Sequence, residues 1–89
     1  MTLPLGRCVA TPGAIRTLEE AGVSPASLLI RHASGDWGDL DEHDRKENEF
    51  SLKNGFRILS SYALSNDAKI WVITEADRSS TCLLLPSEY

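Results

Sequence analysis

The chain has 89 residues, 42% of them hydrophobic and 25% charged, with a net charge of −4 and a pI near 5.0. This length predicts a single domain, residues 1–89, with one modest core. No apolar run approaches the roughly 18 residues that span a bilayer, the first residues show no signal-peptide pattern, and the acidic balance disfavours binding to nucleic-acid phosphates. We therefore expect a cytoplasmic protein that contacts neither membranes nor nucleic acid directly.

The two cysteines, Cys8 and Cys82, lie far apart and outside any Cys-x-x-Cys spacing. In a reducing compartment we expect both to be small apolar core residues. A zinc site would need His32 or His43 to join them, and nothing in the spacing indicates one. The sequence predicts neither a metal nor a cofactor.

Residues 3–10 predict a short strand, and Pro4 and Gly6 place it at a sheet edge. Thr11 is a helix N-cap followed by Pro12 at the first helical position. This helix is expected to run to about Ala21, to end at Gly22, and to bury Ile15, Leu18 and Ala21.

Ser24 and Pro25 repeat the same cap at the start of a second helix. Its expected apolar face consists of Ala26, Leu29, Ile30 and Ala33. His32 lies near the C-terminus of this helix, where the dipole favours a cation. We expect it to be an exposed charged residue, and a ligand or catalytic role is the alternative.

Asp41 predicts the N-cap of a third helix, with Asp44 as a weak capping-box partner. Lys53 in the last turn and Gly55 just past it give the expected C-terminus. The helix is very polar, so we expect a narrow apolar stripe to hold it to the core. That stripe consists of Leu40, Phe50 and Leu52.

The last third of the chain predicts three strands at residues 57–62, 69–74 and 81–85. Short polar connections make them an antiparallel meander, which gives an α+β fold with the helices packed mainly on one sheet face. Trp71 and Ile73 alternate with Ile70 and Val72, so both faces of the sheet are partly apolar. Either other elements cover the Trp71 face or it meets a partner chain, for example in a homodimer.

The acidic residues are concentrated in one segment. Residues 36–49 hold seven of the thirteen acidic residues and two basic ones, a net charge of −5, so the rest of the chain sums to +1. Acids in the first turn of a helix are stabilised by its dipole, which explains part of this cluster without function. Clustered carboxylates also steer association with cationic surfaces.

Three segments resemble a group of small bacterial proteins encoded on plasmids, prophages and integrative elements, known as plasmid-related proteins. These segments are Gly35-Asp36-Trp37-Gly38, residues 74–79 (Thr-Glu-Ala-Asp-Arg-Ser) and residues 84–89 (Leu-Leu-Pro-Ser-Glu-Tyr). The resemblance extends over nearly the whole chain and implies an accessory protein of a mobile element. It implies no catalytic or binding residues, because it supplies no known activity.

Enzymatic motifs are weak. No phosphate-binding glycine loop is present, and no local signature joins Ser60 or Ser61 to His32 or His43 as a nucleophile and base. A small metal-dependent hydrolase could use the carboxylates between Asp36 and Glu47, because His43 and Glu47 share a helix face.

The leading hypothesis is a non-enzymatic module that binds a protein partner with a basic surface, such as an anti-restriction or anti-CRISPR-like inhibitor. The turn at residues 75–79 is either internally paired or presents Arg78 to a carboxylate or phosphate on that partner. The predicted partner-binding residues are Asp36, Trp37, Asp39, Asp41, Glu42, Asp44, Asp77 and Arg78. No catalytic residue is predicted.

Overall fold

The computed structural model describes residues 3–89 and confirms the α+β class. The elements are β1 (Arg7–Ala10), α1 (Pro12–Ala21), α2 (Pro25–Ala33), α3 (Glu42–Asn54), β2 (Ile58–Ala63), β3 (Lys69–Thr74), β4 (Ser80–Leu84) and a 3-10 turn (Pro86–Glu88). None of the helices in this part of the chain is long and apolar enough to cross a membrane.

The predicted helix caps are confirmed. The side chains of Thr11, Ser24 and Asp41 each accept a hydrogen bond from the backbone N–H three residues on, at the start of α1, α2 and α3. Gly22 and Gly55 end α1 and α3 in the left-handed conformation, at φ of 71° and 72°. These local signals set the helix boundaries because each one satisfies backbone groups that the helix itself leaves unpaired.

The four strands form one mixed sheet in the order β1-β4-β3-β2. The antiparallel meander β2-β3-β4 is confirmed, with Trp71 opposite Leu84 and Ser61. The N-terminal strand is shorter than predicted. It lies at the sheet edge, as expected, but runs parallel to β4, a pairing between the two ends of the chain that no local pattern announces.

The core lies between one sheet face and helices α1 and α2. It consists of Ala14, Leu18, Leu28, Tyr62, Ile70, Val72 and Leu83. On the opposite face, which holds Trp71 and Ile73, the C-terminal 3-10 turn contacts β3 and the Tyr89 ring meets Trp71. Helix α3 lies beside β2, at the edge of the sheet.

The predicted inward residues of the helices need correction. Ile15 in α1 is 42% exposed and Ile30 in α2 is 70% exposed, whereas Leu28 and His32 are buried. In α3, Phe50 is exposed and the buried positions are the polar Asn48 and Ser51, at 4% and 8% exposure. Leu40 and Leu52 of the predicted apolar stripe are half-buried, so the stripe is wrong at Phe50 only. Hydrogen bonds at Asn48 and Ser51 also attach the helix.

Candidate functional site

The segment Trp37–Asp39 covers the outer edge of β2. The Trp37 carbonyl accepts from Ser61 N–H (3.2 Å), Asp39 N–H donates to the Ser61 carbonyl (2.7 Å), and the Asp39 carboxylate accepts from Ala63 N–H (2.7 Å). One step along, the Asn48 amide donates to the Leu59 carbonyl (2.6 Å) and accepts from its N–H (3.2 Å). We call Trp37, Gly38, Asp39 and Asn48 the edge clasp, because they pair groups that a sheet edge otherwise leaves exposed.

Asp36 anchors the edge clasp to α2. Its carboxylate accepts from the Arg31 guanidinium at 2.6 and 3.3 Å, and its carbonyl accepts from the Tyr62 hydroxyl at 2.7 Å. The hydrogen bond from Arg31 lowers the pKa of Asp36. Burial raises the pKa of Tyr62 to about 12, so the phenol keeps its proton to donate. The Arg31 guanidinium also lies 4.6 Å from the centre of the Tyr62 ring, in cation–π geometry.

Gly38 is required at the centre of the edge clasp. Its φ is +73°, and a Cβ there would collide with the Ser61 carbonyl oxygen and the Tyr62 ring. Arg45 reaches back from α3 and donates to the Gly38 and Leu40 carbonyls. Contacts within the chain therefore account for Gly38 and for the carboxylates of Asp36 and Asp39. The buried indole Nε1 of Trp37, in contrast, has no hydrogen-bond partner within residues 3–89.

The remaining predicted site residues fall into two further groups. Asp41 caps α3 by accepting from Asp44 N–H (2.8 Å), and Glu42 pairs with Lys46 at 3.5 Å on the exposed first turns of that helix. On the β3–β4 turn, the Asp77 carboxylate accepts from the Ser79 N–H (3.0 Å). The eight predicted residues thus belong to the segment beside β2, the start of α3 and the β3–β4 turn, and their role in partner binding stays a prediction.

Arg78 uses its guanidinium inside the chain. It donates to the carbonyls of Phe56 (2.7 Å), Glu75 (3.1 Å) and Ser51 (3.1 Å), from a residue whose backbone has a φ of 62°. The geometry corresponds to the internally paired turn, with the added contact to the end of α3. Arg78 is therefore a link between α3 and the β3–β4 turn.

His32 is fully buried, contrary to the prediction of an exposed cation. Its ring nitrogens contact Ser60 Oγ at 2.5 Å and Thr74 Oγ1 at 2.8 Å, and Thr74 Oγ1 contacts Thr81 Oγ1 at 2.7 Å. Desolvation lowers the pKa of His32 to about 4, so the ring is neutral near pH 7. Ser60 and His32 do meet, but both have zero exposure, so a substrate cannot reach them, and the second ring nitrogen faces a hydroxyl rather than an orienting acid.

The sheet face opposite the core carries a groove of about 250 Å³. It is lined by Arg57, Leu59, Trp71, Ile73 and Tyr89. The Tyr89 ring meets Trp71 edge-on at 5.7 Å between ring centres, and its hydroxyl accepts from Arg57 (2.9 Å). Tyr89 thus covers part of the face that was expected either to be covered or to meet a partner, and a homodimer through Trp71 stays a prediction.

A second apolar feature lies at the end of α3. Phe50 and Phe56 are 55% and 53% exposed, and their rings stack with 5.8 Å between centres and 8° between planes. Sequence analysis missed this pair because it assigned Phe50 to the core. The helical period could have shown the difference, since Phe50 lies on the same face as the charged Lys46 and Lys53.

The metal hypothesis gains no support from this geometry. Within residues 3–89, no group of three or more His, Cys, Asp or Glu side chains is arranged to hold a metal ion. His43 and Glu47 do approach each other, at 3.8 Å, as an exposed pair on α3. Comparisons with protein-family models, curated proteins and solved structures found no match.

Proposed function

We propose that this protein is a non-enzymatic binding module that docks a protein partner with a basic surface. The observation that carries the proposal is the stacked pair of Phe50 and Phe56, each more than half exposed. Exposed aromatic area is unfavourable in water, and buried aromatic anchors supply much of the binding free energy at protein interfaces. Stacking also holds the two rings in one orientation, which lowers the entropy cost of docking.

The charged residues of α3 indicate the sign of the charge expected on the partner surface. Helix α3 presents four exposed carboxylates, and its Arg45 is turned toward the edge clasp, which leaves Lys46 and Lys53 as the outward bases. We define the α3 surface as Glu42, Asp44, Glu47, Glu49, Phe50 and Phe56. Lys46 and Lys53 share the face of Phe50, so the charge next to the aromatic pair is mixed. The four carboxylates and two lysines still leave this helix surface at −2, which favours a cationic partner and speeds its association.

The proposed context is an accessory role on a mobile genetic element, in the cytoplasm. The resemblance to plasmid-related proteins supports that context, and the carboxylates of α3 support a target that normally handles nucleic acid, because they can compete with phosphates for a basic groove. An inhibitor of a host restriction or other defence system is the form of this proposal that we favour.

Affinity capture, followed by binding measurements on the purified partners, tests the proposal. The tagged chain captures proteins from a bacterial host lysate, and each captured protein is purified and its affinity for the chain measured at two salt concentrations. Replacing both aromatic residues (Phe50→Ser with Phe56→Ser) should weaken binding at least about 30-fold, as expected for an interface hot spot. Glu47→Gln with Glu49→Gln should slow association and flatten its salt dependence.

The matched controls lie on the other helices. Ile30→Ser removes a 70% exposed apolar side chain from α2, and Glu19→Gln with Glu20→Gln removes two exposed acids from α1. Both controls should bind like the unmodified chain. A partner that tolerates the α3 changes, or that the controls weaken equally, would contradict docking on the α3 surface. Reversal of Asp36, Asp39 and Asp41 is a poor test, because those residues hold the fold.

A further inference from the structure

The two edges of the sheet, β2 and β1, differ in how far their outward backbone groups are paired. The β2 edge is paired along its length by the edge clasp. The β1 edge has no such cover within residues 3–89, where β1 pairs only with β4. Arg7 N–H and Thr11 N–H donate toward β4, to the Ser79 and Leu83 carbonyls. In a parallel ladder the intervening residues, Cys8 and Ala10, therefore direct their N–H and C=O groups away from the sheet.

We propose that the β1 edge binds a second copy of this chain, in an antiparallel, two-fold symmetric pair that joins two four-stranded sheets. Centring the two-fold axis on Val9 places Cys8 opposite Ala10 of the other copy. Each outward N–H then meets an outward carbonyl, and none of these groups is left over. An unpaired strand edge is a template for this kind of addition.

Side chains on the open sheet face fit the same register. Val9 is 42% exposed and would lie directly opposite its own copy, as a non-hydrogen-bonded pair in which side chains approach most closely. The two apolar faces that carry Trp71 and Leu84 would then become continuous across the dimer. The first three residues of β1 are exposed and Ala10 is half-buried, so the strand is accessible to a second chain.

The charges are complementary in this arrangement. Arg7 makes no ion pair within the described residues, and it would lie opposite Thr11 of the other copy. The Thr11 hydroxyl donates to the Glu88 carboxylate (2.7 Å), which thereby sits beside β1. Each copy therefore presents Arg7 toward the acidic position of the other, and the like-charged pair Arg7–Arg7 is avoided. This self-complementarity is what selects a second copy as the occupant.

Mass measurement and cross-linking test the proposal. By sedimentation velocity, the unmodified chain should pass from monomer toward dimer between roughly 10 µM and roughly 1 mM, the range expected of so small a contact. Val9→Lys places two cations face to face and should leave only monomer. Val9→Cys, in a background with Cys8→Ser and Cys82→Ser, should give a disulfide-linked dimer on mild oxidation, because a directly opposed non-hydrogen-bonded pair suits disulfide geometry.

Ile30→Lys and Ile30→Cys are the matched controls, at an exposed apolar position on α2. The first should dimerise like the unmodified chain, and the second should cross-link at least ten-fold more slowly than Val9→Cys. A chain that stays monomeric at 1 mM, a dimer that survives Val9→Lys, or equal cross-linking at positions 9 and 30 would overturn the proposal. If Val9→Lys fails to fold by circular dichroism, the cross-linking comparison decides. The α3 surface lies at the other edge of the sheet, so this test is independent of the proposed function.

Discussion

At the scale of single residues, His32 shows how a polar side chain is accommodated in a small core. Its ring is fully buried, and both nitrogens contact hydroxyl groups, of Ser60 and Thr74. The Thr81 hydroxyl donates to the Leu5 carbonyl. Thr74 therefore donates to Thr81 and accepts from the Nε2–H of the neutral His32 ring. The Nδ1 atom is then left to accept from Ser60. The protonated ring would place an unpaired charge among these groups, which is why burial lowers its pKa.

The first prediction is that the free energy of unfolding falls as the pH is lowered toward the pKa of His32. The pKa of His32 is about 4 in the folded chain and about 6.5 in an unfolded one. Above pH 6.5 neither state binds the proton. As the pH falls from 6.5 to 4, the unfolded state takes it up first, so the free energy of unfolding should fall by about 3 kcal/mol from this group. Urea unfolding across this pH range measures the change.

The comparison variants separate His32 from the carboxylates, which also titrate at low pH. His32→Gln should remove most of this slope, whereas His43→Gln, at an exposed position of α3, should leave it. In the folded chain, NMR of the His32 ring should show a titration midpoint near 4. A midpoint near 6.5 in the folded state would contradict the argument, whatever the stability of His32→Gln.

At the scale of elements, the edge clasp explains why two glycines surround Asp36 and Trp37. Both Gly35 and Gly38 have positive φ, at 90° and 73°. Only Gly38 lies against another strand, because a Cβ at Gly35 would meet nothing within 4 Å. Substitutions at Gly35 and Gly38 therefore distinguish two losses of stability. Both carry the loss from a left-handed backbone, and only Gly38 carries the loss from a Cβ that collides with a neighbouring strand.

The second prediction follows from that contrast. Gly35→Ala should cost about 1 kcal/mol, for the left-handed backbone alone. Gly38→Ala adds a collision with the Ser61 carbonyl and should cost at least about 3 kcal/mol. Urea unfolding measures both. Hydrogen exchange should speed up at the Ser61 and Ala63 amides in the second variant only, and equal costs for the two changes would mean that the edge clasp contributes little to stability.

The helix boundaries could be predicted from the sequence, whereas the inward face of α2 and the edge clasp could not. Caps such as Thr11 and Ser24 act within three residues, so their signals are local and the helix boundaries followed. The inward face of α2 depends on which residues meet the sheet. Hydrophobicity predicted Ile30 as an inward residue of α2. His32 is the inward residue instead, because its ring hydrogen-bonds to hydroxyl groups on β2 and β3. The edge clasp was beyond prediction for the same reason, since Asp39 finds its partner 24 residues away on β2.

At the scale of the whole molecule, the chain consists of a core unit and an attached helix. Helices α1 and α2 share a continuous apolar core with the sheet. Helix α3 buries Asn48 and Ser51 and joins the sheet through the Asn48 amide and through Arg78. Segments with few buried apolar contacts open with less free energy than the core does. The helix that carries the proposed docking surface is therefore the least tightly held of the three.

The third prediction tests that division by releasing α3 from one end. Arg78→Ala removes the donors to Ser51, Phe56 and Glu75. Hydrogen bonds from a charged donor contribute about 1.5–3 kcal/mol, so amide exchange in the C-terminal half of α3 should accelerate roughly 10- to 100-fold. Amides of β3 should exchange at nearly unchanged rates, because they open only with the core. Residue-resolved hydrogen exchange by NMR measures both sets, with Lys53→Ala as the control for losing a cation near the same end of α3. Equal acceleration in α3 and β3 would show instead that the helix and the sheet open as one unit.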